Sequence, residues 1–287
     1  MGLAMKPFTK PNERLLRLLD KPSSSESGMI RHHKGGAVYY TFPHLGWGVK
    51  HAIFTRLGGL SHSPFDGLNV GHLVGDEDKA VEANHRIIYE TIALSAEEVV
   101  TARQVHSHSV AVVGPKDKGR IVPATDGLVT ETPGVGLMLR FADCLPILLY
   151  DPQKRVIGLG HAGWRGTVGL LAQRLAQTMR EEFSCHLSRV RAGLGPAIGP
   201  CCYSVGEEVR EAVQAVLPDS SGALVERANG IHLDLWEANR WQLRQLGIQR
   251  IEVGKICTAC NTAEFFSHRA EGARTGRFAV LMILRGE

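Results

Sequence analysis

The sequence predicts a mixed α/β fold in one continuous domain, and three features of its patterning point there. Short β-rich runs alternate with amphipathic helical stretches, as in a chain that packs helices on sheets. The polar turn Asp151-Pro152-Gln153-Lys154 joins two apolar runs, so at least one strand pair is an antiparallel hairpin and a purely parallel, doubly wound sheet is disfavoured. No repeat of fixed period and no Pro/Ser/Gly-rich linker divides the chain after residue 36.

In chain order, residues 1–27 are polar and close on Ser23, Ser24, Ser25, Glu26 and Ser27. Such a composition buries too little surface to order itself firmly, so 1–35 reads as a partly flexible N-terminal extension and 36–287 as a single catalytic domain. A first helix is marked by Ala80, Val81, Asn84, Ile87 and Ile88. Strands are expected over 99–105, 110–113, 136–140, 145–150, 156–160 and 190–194. A second helix is expected to start just after Gly166, because Val168, Leu171, Ala172, Leu175 and Met179 fall on one face. Val205, Val209, Ala212, Val213 and Val216 mark a third. A fourth has Asp234 as N-cap, Glu237 three residues later and Gly247 as its stop. These apolar faces are core.

Hydrophobic residues make up 44% of the chain and charged residues 22%, which favours a folded core over disorder. The net charge of +4 comes from scattered Lys and Arg, which argues against nucleic acid as a partner and suits a small anionic substrate. The most apolar stretch, 135–150, is interrupted by Arg140 and Asp143 and is shorter than the roughly 20 residues of a helical span, so no membrane is expected. Lys6, Lys10, Glu13, Arg14 and Arg17 do not read as a signal peptide, and a cytoplasmic location is expected. Reduced thiols then suit the six cysteines, at 144, 185, 201, 202, 257 and 260. Cys257 and Cys260 form a CxxC, but adjacent Cys201 and Cys202 do not supply the second half of a zinc ribbon, so these four are read as buried or partly buried free thiols in preference to a structural zinc site.

Three segments place a soft or nitrogen ligand at a strand end or loop: Gln104-Val105-His106, Ala142-Asp143-Cys144 and Gly160-His161-Ala162-Gly163. The hairpin turn can bring His161 beside Cys144, and His106 can join them if its strand packs nearby. Two imidazoles and a thiolate leave a fourth position open on zinc, the pattern of a catalytic site. A metal-free reading of the same residues makes Cys144 a nucleophile and His161 its base. Asp143, next to Cys144 on a strand, points away from that pocket unless the backbone bulges. The glycine-rich stretches 160–166 and 193–200 each lead towards a helix and read either as anion sites or as tight turns. Arg56, Asn69, Arg165 and Arg277 lie in polar loop clusters that could hold substrate or phosphate.

Taken together, the QVH at 104–106, ADCLP at 142–146, HAGWRG at 161–166, GPAIGPCCY at 195–203 and FFSHR at 265–269 resemble the YfiH-like family. Its members carry laccase-domain or polyphenol oxidoreductase labels and are described as purine nucleoside phosphorylases. The resemblance runs from Arg56 to Arg277. It implies an α/β/β/α layered fold with mixed sheets, also similar to toxin deamidases, and a zinc held by His106, Cys144 and His161, with copper less favoured. It further implies phosphorolysis of adenosine, inosine and methylthioadenosine to free base and (methylthio)ribose-1-phosphate, with phosphate as co-substrate, and deamination of adenosine to inosine. His268 stands where the family's FFSYR pattern has tyrosine. The rival functions are a Cys144/His161 amide hydrolase, with cell-wall precursors as a candidate substrate, a copper-dependent polyphenol oxidase and a binding module without turnover.

Overall fold

The computed structural model describes residues 28–286. The expected N-terminal extension therefore lies, as far as residue 27, outside the described residues. Its last part does not behave as an extension: β1 (Ile30–Lys34) pairs antiparallel with β2 (Ala37–Thr41), so the sheet begins upstream of residue 36. The turn between them uses Gly35 and Gly36, at φ 62° and 81°, a left-handed pair that glycine adopts without steric cost. The polar run His32-His33-Lys34 on an edge strand is what hides this hairpin from a hydrophobicity reading.

Next come β3 (Val49–Phe54), β4 (Val99–Ala102), β5 (Val110–Val112), β6 (Ile121–Val122), β7 (Gly127–Thr130), β8 (Gly136–Phe141), β9 (Leu145–Asp151), β10 (Val156–Ala162) and β11 (Arg191–Leu194). After them come β12 (Leu224–Arg227), β13 (Gly230–Leu233), β14 (Arg250–Val253) and β15 (Phe278–Leu284). Every strand expected from the sequence forms; the run 99–105 shortens to β4, because residues after Ala102 leave the sheet for a loop. Main helices are α1 (Asp78–Thr91), α2 (Trp164–Val168), α3 (Leu171–Phe183), α4 (Glu207–Gln214), α5 (Leu235–Gln245) and α6 (His268–Glu271). The helix expected from Gly166 onward is two helices, broken where Leu170 takes φ 61°, so Val168 belongs to the short α2 and not to the face of α3. At α5 the Asp234 side chain accepts from Trp236 N and Glu237 N, the cap that the sequence predicts.

One sheet runs β1-β2-β3-β15-β8-β4-β6 and the other β14-β11-β9-β10-β7-β5, with β12-β13 as a small ribbon. Both large sheets are mixed: β9 and β10 form the antiparallel hairpin across the Asp151 turn, whereas β4 lies parallel to β8 and β11 parallel to β14. The two-residue period of a strand sorts its side chains between layers. On β9, Leu148 and Tyr150 face Ile53, Leu139 and Val280 of the other sheet, while Leu145, Ile147 and Leu149 face Leu171, Leu175 and Leu243 of the helices. On the far side, Phe54, Met138 and Leu281 pack against Ile88 of α1. The layers are thus helix, sheet, sheet, helix.

Buried His51 on β3 gives this core an acid-sensitive point. Its Nε2 accepts the Phe42 N–H at 2.7 Å, and burial together with His44 and His32 holds its pKa down at about 3. The folded protein keeps His51 neutral while the unfolded chain protonates it below about 6.5, so stability falls as pH drops from 6.5 towards 3. At pH 5 this amounts to about 2 kcal/mol. Denaturant unfolding across this range should show the loss in the unaltered protein, and His51→Leu, less stable at pH 7, should have a shallower acid slope.

Candidate metal centre

Three separate local geometries bring His106, Cys144 and His161 together. His161 lies on β10 in register with Pro146, beside the start of β9, as the hairpin requires. Cys144 sits in the turn between β8 and β9, where Asp143 takes φ 84°, an uncommon value for a residue with a side chain. That conformation is held on both sides: the Asp143 carboxylate accepts from Thr258 Oγ1 at 2.6 Å and Arg269 N at 2.7 Å, and its carbonyl from Ile198 N at 2.9 Å. Asp143 so directs Cys144 from the cavity wall, with its carboxylate engaged by Thr258 and Arg269. His106, also left-handed at φ 59°, lies in the loop after β4. A ligand atom from each of the three lies within 4.8 Å of the others, and the two imidazole rings meet edge to face at 5.1 Å. Gly163 closes the site from below: a Cβ there would stand 2.9 Å from Cys144 Sγ, so any side chain would displace the sulfur.

The group that organises these residues is Asp126, buried immediately before β7 and not singled out by the sequence. Its Oδ2 accepts from Val105 N at 3.2 Å, Ser107 N at 2.7 Å and Ser107 Oγ at 2.8 Å; its Oδ1 accepts from His106 N at 3.1 Å and pairs with His161 Nδ1 at 2.9 Å. Thr125-Asp126-Gly127 reads in sequence as an ordinary turn before a strand; an acid directly before an apolar strand is the one available signal. Burial favours the neutral acid, but His161 and Ser107 outweigh it and hold the Asp126 pKa at about 2. An ionised Asp126 holds a His161 proton on Nδ1, so Nε2, which carries the ring's second proton below the His161 pKa, is the nitrogen left for Cys144. Burial lowers His161, yet the Cys144 thiolate and Asp126 raise it to about 9. Burial likewise raises Cys144, and the charge of His161 with hydrogen bonds from both histidines brings it down to about 6.

The donor set fits zinc. Two imidazole nitrogens and one sulfur converge on the cavity wall and would hold the ion with three protein ligands, and the carboxylate behind His161 is the usual support for a zinc-binding histidine. The cavity above it measures 840 Å³. Arg103, Arg140, Arg165, Arg269 and Arg277 line it, and the one acid on its wall among the described residues, Asp143, is already hydrogen-bonded to Thr258 and Arg269. Trp164, Ile198 and Leu235 supply apolar wall, and His268, at the position of the departure from FFSYR, is also on the lining.

The four polar residues expected to hold substrate divide into two pairs. Arg165 and Arg277 line the cavity; Arg165 is exposed and stacks on Trp164 at 4.3 Å, and Arg277 donates from Nη1 to Thr275 O and Gly276 O. Arg56 and Asn69 do not line it. Arg56 donates to Asp66 O and Thr262 O, pairs with Glu271 at 2.6 Å and lies over Phe266, so its guanidinium is already committed to closing loops. Buried Asn69 accepts from Gly71 N and Arg277 N and donates to Asp76, which fixes the loop behind Arg277. The glycines of 193–200 serve packing: a Cβ on Gly193 would meet the Phe42 ring at 2.5 Å and one on Gly195 the Pro146 ring at 3.1 Å.

Residues 50–285 match the model of the family described as multi-copper polyphenol oxidoreductase laccase. The chain is 39% identical over 251 residues to the purine nucleoside phosphorylase YlmD of Geobacillus stearothermophilus, covering 84% of this chain and 92% of that protein. It is 34% identical over 240 residues to a purine nucleoside phosphorylase of Bacteroides thetaiotaomicron, covering 80% and 89%. Among solved structures it is similar to YlmD from Geobacillus stearothermophilus (TM-score 0.86, 36% identity, 91% of this chain and 100% of the other). It is also similar to the hypothetical protein YfiH of Bacillus licheniformis (TM-score 0.84, 32% identity, 90% and 99%).

Proposed function

We infer the function from two premises, the first being that the chain belongs to the family described as multi-copper polyphenol oxidoreductase laccase, whose curated relatives named above are purine nucleoside phosphorylases. The second is the arginine-lined cavity that opens on His106, Cys144 and His161. We propose that this cavity takes adenosine, inosine or methylthioadenosine together with phosphate and releases the free base and (methylthio)ribose-1-phosphate, and that it also converts adenosine to inosine. No nucleic acid or membrane partner enters this reading; among the described residues no helix is long and apolar enough to cross a membrane. Six free cysteines suit a cytoplasmic setting.

The observation that carries the proposal is the pairing of cationic and apolar wall in one enclosure. Phosphorolysis needs a phosphate oxygen to bond to ribose C1′ while the bond from C1′ to the purine nitrogen breaks and the base takes up a proton. Arg165 and Arg277 offer guanidinium donors to the phosphate, and Trp164, Ile198 and Leu235 give the purine a dry surface. His106, Cys144 and His161 would hold zinc, which when bound supplies Lewis-acid polarisation of an oxygen next to this wall. Copper is less suited: among the described residues no methionine lines the cavity to act as the weak axial ligand of a His2Cys copper centre. Among the described residues only one cluster of three or more potential ligands contains histidine, whereas a multicopper oxidase needs several.

Incubation with adenosine and phosphate is expected to yield inosine, free bases and ribose-1-phosphate. Arg165→Ala and Arg277→Ala should raise the KM for phosphate about tenfold or more and leave deamination much less affected, since only phosphorolysis has a free phosphate to hold. Arg56→Ala should lower stability and leave the phosphate KM unchanged. Equal losses in both reactions for Arg165→Ala and Arg277→Ala would remove the phosphate role. The Asp126-His161-Cys144 alignment favours one second reading, a thiol-dependent amide hydrolase in which Asp126 orients His161.

A further inference from the structure

The sequence pairs Cys257 with Cys260 and leaves Cys201 and Cys202 as an unrelated neighbouring pair, but the fold joins all four. Strands β11 and β14 run parallel, so the loops that follow them leave the sheet side by side. Ala197 N donates to Ile256 O and Thr258 N to Ala197 O, which continues the pairing to the root of the cluster. Beyond that point, the four sulfurs lie within 4.8 Å of one another. Cys201 and Cys202 approach Cys260 to 3.5 Å and 3.3 Å, too far for a disulfide bond, which is about 2.0 Å. Four thiolates around one zinc at about 2.3 Å would stand about 3.8 Å apart, so closing this cluster on an ion needs shifts of an ångström or less.

Of the four sulfurs, that of Cys257 has the hydrogen bonds of a thiolate. Gly199 N donates to Cys257 Sγ at 3.2 Å, and the Cys260 backbone N–H is directed at the same sulfur, as happens when the two cysteines of a CxxC turn grip one ion. A Cβ on Gly199 would come to 3.3 Å of Cys201 Sγ, so a glycine gives the first loop its close approach. A set of four thiolates with no nitrogen or oxygen donor is closed and tetrahedral, with no position left for substrate.

We propose that Cys201, Cys202, Cys257 and Cys260 bind a structural zinc that staples the loop 198–203 to the loop 257–260. Both loops carry groups that shape the cavity. Ile198 and Tyr203 line it, and Thr258 grips the Asp143 carboxylate whose left-handed turn presents Cys144. Arg269 donates from its backbone N to the other Asp143 oxygen and from Nη1 to Cys202 O, so the staple and the cavity wall share one network. The zinc touches no substrate; the four cysteines position the wall.

The test is zinc content by elemental analysis and native mass in protein purified without added metal or chelator. Cys257→Ser/Cys260→Ser is expected to carry one zinc fewer per chain than the unaltered protein. His106→Ala, which disables the other centre, is expected to keep one zinc; when reconstituted with cobalt it should show the strong near-ultraviolet thiolate-to-cobalt absorption of a tetrahedral all-sulfur site. Because His106→Ala leaves all four cysteines intact, its result stands even if the serine variant fails to fold. A His106→Ala protein without metal overturns the proposal, as does a serine variant with unchanged zinc. Fewer than six titratable thiols in denatured, unreduced protein would also overturn it and assign the cluster to a disulfide. If the His106, Cys144 and His161 centre fails instead, the unaltered protein and His106→Ala carry the same single zinc.

Discussion

Cys144→Ala is expected to lower nucleoside turnover about a thousandfold, which corresponds to the several kcal/mol of charge stabilisation that a catalytic metal supplies. The size follows from how the three donors are held. Asp126 fixes the His161 ring and the His106 backbone, so both remain in place when the sulfur is removed, but two imidazoles alone would leave the ion without its anionic ligand. Zinc at this centre should fall with activity. The control that matters is preparation: unaltered and Cys144→Ala proteins purified identically carry the same traces of host phosphorylase or deaminase. Full turnover in the variant would therefore assign the activity to the contaminant and end the proposed function. The same pair of proteins separates the rival chemistry. Activity removed by chelation and restored by zinc supports the metal; amide cleavage abolished by thiol alkylation and indifferent to chelation supports Cys144 as a nucleophile.

The second large effect is expected at Asp126. Five donors converge on its two oxygens: three backbone N–H groups, the Ser107 hydroxyl and the His161 ring. Asp126→Ala leaves them without an acceptor in a buried place, which should cost about 3 to 5 kcal/mol of stability. Asp126→Asn is the more informative change, because it keeps the shape. Only one of its two positions accepts hydrogen bonds; the amide NH2 must face either the Ser107 and Val105 donors or the His106 and His161 donors. Zinc affinity should drop about 10- to 100-fold, the usual effect of losing the carboxylate behind a zinc-binding histidine. Competition with a chromophoric chelator measures this, and an Asp126→Asn protein with unaltered affinity would show that the carboxylate does not support the site.

Much of this fold can be read from local pattern, for reasons visible in particular elements. The β9-β10 hairpin is legible because its turn residues and both apolar runs are adjacent in sequence. The α5 cap is legible because Asp234 and Glu237 act within one turn. The β1-β2 hairpin is missed because an edge strand may be polar on both faces, and the break at Leu170 because the apolar spacing continues smoothly across it. Arg56 looks like a ligand in sequence because an arginine among glycines has no visible partner; Glu271, 215 positions away, supplies it.

By itself the sequence determined the chemistry available: a mixed α/β chain with two imidazoles and one thiol placed at strand ends and loops. These are short-range facts, fixed by residue type and by the two-residue and 3.6-residue periods of backbone geometry. Only the tertiary structure decided which distant groups share an environment. Asp126 became the support of His106 and His161, and the cysteines at 201, 202, 257 and 260 became one cluster, because parallel pairing of β11 with β14 and the packing of β7 beside β10 are set by long-range burial. A carboxylate or a thiol carries no sign in the sequence of the partner that will share its low-dielectric site; the hydrogen bonds and charges that give it a role exist only after the sheets have closed over it.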